Sequence, residues 1–169
     1  MRGKPDAGHR SPEIPREGGR GHTSATPSHR AHAMKILLVD PSPSWIATLR
    51  YRLAEVPGAV VVAQCACEEH AVITAALCQP DVVICDVALS EGSGLNTVAR
   101  MRKSGFRGVA FAISNADEAL FGPRCMDAGL NAFYSREFEL DALLDTLREF
   151  SDTPLTFNLP KLRQLAVAA

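Results

Sequence analysis

The stretch that most limits what this chain can fold into is Pro80-Asp81-Val82-Val83-Ile84-Cys85-Asp86. Four apolar, mostly β-branched residues in a row leave no polar face for solvent. Such a run reads as a strand buried on both faces, as in a parallel sheet. It ends on a carboxylate, and a charge is rarely buried without a partner because desolvation is costly. Asp86 is therefore expected where the strand leaves the core, at its carboxyl end. In open α/β sheets ligands bind along that edge.

The remaining segments alternate around this one. Lys35 to Val39 is a second apolar strand, and it also ends on an acid, Asp40. Ser42 is placed to cap a helix that has Pro43 at its first position. Ile46, Leu49 and Leu53 form one face of that helix, with Trp45 beside it, and Pro57-Gly58 ends it. A strand over Ala59 to Ala63 and a helix over Glu68 to Leu77 follow, the helix carrying Ala71, Ile73, Ala75, Ala76 and Leu77 as apolar residues. After Asp86, the spacing predicts a helix over Gly94 to Lys103 that buries Leu95, Val98 and Met101. Next comes a strand over Val109 to Ile113 closed by Ser114. A helix over Asp117 to Ala128 is stopped by Gly129. A short aromatic strand spans Asn131 to Tyr134 and leads into Ser135-Arg136. A last helix over Phe138 to Phe150 carries the stripe Leu140, Leu143, Leu144 and Leu147. Five strand–helix units imply an α/β domain with right-handed crossovers, helices on both faces and the flavodoxin-like strand order 2-1-3-4-5.

Composition separates three regions. Residues 1–33 are rich in Gly, Pro, Arg, Ser and His, and their composition predicts a disordered tail. Residues 34–150 carry the alternating pattern. Residues 151–169 form an extension too short for another domain. The formal net charge of −1 gives no general reason to expect nucleic acid as a partner. No apolar stretch approaches the roughly 18–20 residues of a membrane span. Five cysteines in apolar surroundings read as reduced thiols of a cytoplasmic protein. Cys65-Ala66-Cys67 has neither zinc nor redox spacing.

Asp40, Asp86, Ser114 and Arg136 each follow the end of a different strand. In a parallel sheet with the proposed order those ends are contiguous, so the four side chains are expected to converge. Lys35-Ile-Leu-Leu-Val-Asp40, Pro80 to Asp86, Ser93-Gly94-Leu95, Ala128-Gly129-Leu130-Asn-Ala-Phe133 and Glu137-Phe138-Glu-Leu-Asp-Ala-Leu143 together resemble the receiver domain of bacterial two-component response regulators. The resemblance covers about Met34 to Phe150. It implies that Asp86 accepts a phosphoryl group from a histidine kinase or phosphotransfer protein. It implies an Mg²⁺ ion held by Asp40, Asp86 and the backbone carbonyl of Ala88. It further implies that Ser114 and the cation after the fifth strand, here Arg136, hold the phosphoryl group. Phe133 would then report the switched state. The types suit the task, because a carboxylate is a weak nucleophile and phosphoryl transfer depends mainly on positioning and charge neutralisation.

Two positions depart from the family pattern. The acidic pair after the first strand is broken, since Pro41 supplies no carboxylate. Mg²⁺ keeps waters readily, so weakened binding is expected from this change. The usual lysine is Arg136, which can pair bidentately with Asp86 even without phosphate. Ser90 stands where the family often has proline. A working single-domain receiver and a degenerate one that serves as a phosphorylation-independent docking module both remain open. Output is expected through protein contact rather than DNA, with Leu120, Phe121, Phe133 and Tyr134 offering a face. A small hydrolase on the same fold is disfavoured. Asp86-Val87-Ala88 lacks a second acid, Asp40 to Ser44 lacks a Gly-rich phosphate loop, and His70 is the only histidine after residue 33.

Overall fold

The structure, a computed structural model, describes residues 33–152. The expected N-terminal tail up to residue 32, and the extension from residue 153 onward, lie outside the described residues. The order is β1 (Met34–Val39), α1 (Pro43–Leu53), β2 (Ala59–Cys65), α2 (Glu68–Cys78), β3 (Val82–Cys85), α3 (Gly94–Lys103), β4 (Val109–Ser114), α4 (Glu118–Asp127), β5 (Ala132–Ser135) and α5 (Leu140–Asp152). The five strands form one all-parallel sheet in the order β2-β1-β3-β4-β5. This is the doubly wound arrangement that the strand–helix alternation implies.

Side-chain alternation divides the core into two halves. Ile36, Leu38, Val82, Ile84, Phe111 and Ile113 pack with Leu49 and Leu53 of α1 and with Leu143, Leu144 and Leu147 of α5. Leu37, Val39, Val83, Cys85 and Ala112 face the other way, toward α2, α3 and α4. Each fully buried large aliphatic contributes about 1.5–3 kcal/mol relative to exposure, so the two halves hold the sheet rigid beneath its edge.

Helix α2 departs from the sequence reading. Ala71 and Ala75 face the core, whereas Ile73 and Leu77 are exposed. The buried end of α2 is instead Glu68, whose carboxylate accepts from the Ser93 amide, Asn96 Nδ2 and Arg100 Nη1. At the amino-terminal edge of the sheet, Arg102 donates to the carbonyls of Gly129, Phe106 and Gly108 and to Asn131 Oδ1. These two networks tie the loops of both edges to the sheet.

Ser42 caps α1 by accepting from the Trp45 amide, with Pro43 in the first turn. Gly94 opens α3 directly beneath Asp86, and a Cβ there would collide with the Asp86 carbonyl oxygen. Glycine is thus required where α3 meets the end of β3.

Candidate functional site

The backbone brings the four sequence-predicted residues together before any side chain is considered. The Asp86 amide donates to the Val39 carbonyl at 2.8 Å, one residue beyond the β1–β3 ladder. Asp86 therefore lies beside Asp40. The Arg136 amide donates to the Ser114 carbonyl at 2.9 Å and does the same for the β4–β5 edge. Since β3 and β4 are neighbours, all four residues share one stretch of the rim.

Their side chains then meet. Ser114 Oγ donates to Asp86 Oδ1 at 2.6 Å. Arg136 Nη2 donates to Asp86 Oδ2 at 2.7 Å, and the same nitrogen also donates to Asp40 Oδ2. Asp40 Oδ1 accepts from the Ser42 amide at 2.8 Å, and Asp86 Oδ1 from the Ala88 amide at 3.3 Å. The cluster is nearly closed, with side-chain exposures of 4% for Asp40, 12% for Asp86 and 16% for Arg136. Burial raises the Asp40 carboxyl above its ordinary value of 3.8, although the Ser42 amide and the Arg136 charge both oppose that shift.

The anticipated bidentate Arg136–Asp86 pair takes another form. One terminal nitrogen bridges both carboxylates, because Asp40 and Asp86 lie close enough to share it. Trp45, absent from the sequence-derived set, completes the site: the Arg136 guanidinium carbon lies 4.7 Å from its ring centroid. Its signal was a tryptophan in the first turn of a helix that begins just after an acid-ending strand. Arg136 Nε and Trp45 Nε1 are buried, and neither has a hydrogen-bond partner among the described residues.

Phe133 is buried, in the same core half as Ala112 and Cys125. Tyr134 turns the other way, with its hydroxyl 2.9 Å from Thr146 Oγ1 and its ring edge-on to Phe111. Of the face expected for docking, Leu120 is exposed, Phe121 and Tyr134 are half-buried, and Phe133 is withdrawn into the core. Phe138, which that reading omitted, is 79% exposed. Ala88 is exposed in the loop after β3 and pairs with Ser93 through an isolated bridge. His70 is exposed.

The donor set does not fit a divalent ion in this arrangement. Mg²⁺ requires near-octahedral oxygen ligands. Here Pro41 offers no side-chain oxygen, and each oxygen of Asp40 and Asp86 already faces an N–H or O–H donor. Among the described residues, no group of three His, Cys, Asp or Glu side chains is arranged to hold a metal. No helix of the described residues is long and apolar enough to cross a membrane.

Comparisons with known proteins agree with the fold. Residues 36–148 match the response regulator receiver domain family. The Escherichia coli K12 DNA-binding transcriptional activator EvgA is 28% identical over 104 residues, covering 62% of this chain and 50% of EvgA. The chain thus spans about half the length of the curated relatives it matches. Among solved structures, a LuxR-family two-component response regulator from Aurantimonas sp. SI85-9A1 superposes with a TM-score of 0.66 at 20% identity, covering 79% of this chain and 94% of that one. The response regulator domain of Thermotoga maritima CheB gives 0.64 at 18% identity, covering 73% and 99% respectively. With the family match spanning more than half of its residues, the chain belongs to the response regulator receiver domain family.

Proposed function

We propose that this domain accepts a phosphoryl group on Asp86 from a histidine kinase or phosphotransfer protein. It then signals through protein contact. The observation that carries this reading is the pair of donors converging on one strand-end carboxylate, Ser114 Oγ on Oδ1 and Arg136 Nη2 on Oδ2. In the reaction an Asp86 oxygen attacks phosphorus, the P–N bond of the donor phosphohistidine breaks, and the imidazole leaves. Arg136 neutralises charge on the transferred group, and the Ser114 hydroxyl donates to one of its oxygens. These contacts are available only if both side chains let go of the carboxylate and follow the phosphoryl group outward. That movement would pull the loops after β4 and β5 inward, with the buried Phe133 on β5 responding.

A second reading is favoured by the bridge itself. Arg136 already neutralises much of the charge of Asp40 and Asp86, as a cation would in an occupied pocket. The domain would then be a docking module that signals without phosphate. DNA binding belongs to EvgA by name, and the proposal for this chain is protein contact.

Acetyl phosphate labelling followed by intact-mass measurement tests the first reading. We expect one phosphoryl group on the wild-type protein and none on Asp86→Asn. An unlabelled wild-type protein, under conditions that label an ordinary receiver, overturns it and leaves the docking module.

A further inference from the structure

We propose that the Arg136 guanidinium is the resident cation of this pocket and takes the place of a divalent metal between Asp40 and Asp86. The inference rests on the reading of the strand-end cluster as the phosphoryl site, and it makes that site independent of magnesium. Three observations carry it. First, a single nitrogen, Nη2, donates to Asp40 Oδ2 and to Asp86 Oδ2, so positive charge already sits between the two acids. Second, the other two carboxylate oxygens are also engaged. Asp40 Oδ1 takes the Ser42 amide, and Asp86 Oδ1 takes the Ser114 hydroxyl and the Ala88 amide. A metal would have to compete with these donors for the carboxylate lone pairs and drive out the Arg136 charge, and Pro41 removes the acid that would strengthen its hold. Third, the guanidinium is held from behind, with its carbon 4.7 Å from the Trp45 ring centroid.

The physical chemistry favours the same choice. A guanidinium is weakly hydrated and loses little on entering a nearly closed site, whereas Mg²⁺ dehydrates reluctantly. The planar fork also stacks on an aromatic face, which fixes its direction at low entropic cost. A lysine in this position would be a strongly hydrated point charge on a flexible stem. The replacement of lysine by arginine and of the second acid by proline thus acts as one coupled change. The cation has moved from solution into the chain.

Trp45 is the only tryptophan in the sequence and lies against the cation in question, so its emission reports on the site. The full chain is titrated with MgCl₂ and then MnCl₂ at constant ionic strength, while Trp45 fluorescence and the thermal midpoint are followed. We expect no saturable fluorescence change and no rise in midpoint up to about 20 mM metal, well above the range in which a millimolar site would stabilise the fold. The double variant Pro41→Asp, Arg136→Lys should gain a saturable change in both. A saturable millimolar response of the wild-type protein overturns the proposal. So does a flat response of a folded double variant, since Arg136 and Pro41 would then not be what excludes the metal. Mass labelling by acetyl phosphate in EDTA separates this idea from the functional reading. A metal response with intact labelling sinks the resident cation alone. Absent labelling with a flat metal response sinks the phosphoacceptor alone.

Discussion

Replacing Arg136 by Met tests the electrostatic argument most directly. The substitution keeps an unbranched apolar stem against Trp45 and deletes the charge. Asp40 and Asp86 then face each other with side-chain exposures of only 4% and 12%. Removing one partner from a buried ion pair costs about 3–5 kcal/mol when the site is dry. Arg136 keeps 16% exposure, so some water screening remains and we expect about 2–3 kcal/mol. For a domain of this size that corresponds to a fall in thermal midpoint of about 10 °C. The loss should depend on pH. Burial already raises the Asp40 carboxyl above its ordinary value, and deleting Arg136 removes one of the influences that oppose the shift. A carboxyl whose folded-state pKa exceeds its unfolded value favours the native state when protonated. It withdraws that support as pH rises through the folded value. The variant should therefore be weakest near neutral pH and approach the wild-type protein as pH falls toward the acidic range. Urea unfolding followed by far-ultraviolet circular dichroism, in EDTA at neutral and acidic pH, measures this difference. Equal stability of the two proteins at neutral pH would refute the reasoning, because it would mean the bridge neutralises nothing that matters.

Other perturbations probe the remaining supports. Gly94→Ala places a Cβ against the Asp86 carbonyl oxygen, so α3 must shift away from β3. Overpacking of that kind costs about 1–3 kcal/mol, and the same variant should label poorly with acetyl phosphate. Ser114→Ala removes the hydroxyl that donates to Asp86 and accepts from the Ala116 amide. A loss of about 1–2 kcal/mol in urea unfolding is expected, together with slower labelling of Asp86. Asp40→Asn removes a carboxyl whose ionisation opposes folding. The stability of the wild-type protein relative to this variant should rise as pH falls through the carboxyl's raised folded-state value toward its ordinary one, and a pH-independent difference would contradict the raised direction.

Much of the fold could be read from periodicity. Runs such as Val82 to Cys85 are buried on both faces, and only a parallel sheet covered by helices satisfies them. The strand-end placement of Asp40, Asp86, Ser114 and Arg136 followed from the same logic, since charge and hydroxyl fall where the apolar run stops, but their burial there rests on the pairing that the fold supplies. Helix α2 was harder. Ile73 and Leu77 look like core residues by type, but the 3.6-residue period turns them outward once Ala71 and Ala75 have been buried. Glu68, an acid in a first turn, could not be recognised as the anchor of the loop after β3. Its partners Ser93, Asn96 and Arg100 lie 25–32 residues away.

The chain's own order of residues was sufficient for the five strand–helix units and for which side chains end each strand, because both depend on local hydrophobic pattern and on the cost of burying charge. What only the folded molecule decided is how those side chains pair. Whether Arg136 grips one acid twice or two acids once depends on the separation of β1 and β3 ends and on a ring contributed by α1, distances of a few ångströms between segments up to 96 residues apart. Hydrogen bonds and ion pairs are short-ranged and directional, so a linear pattern can nominate the partners but cannot say which atom takes which.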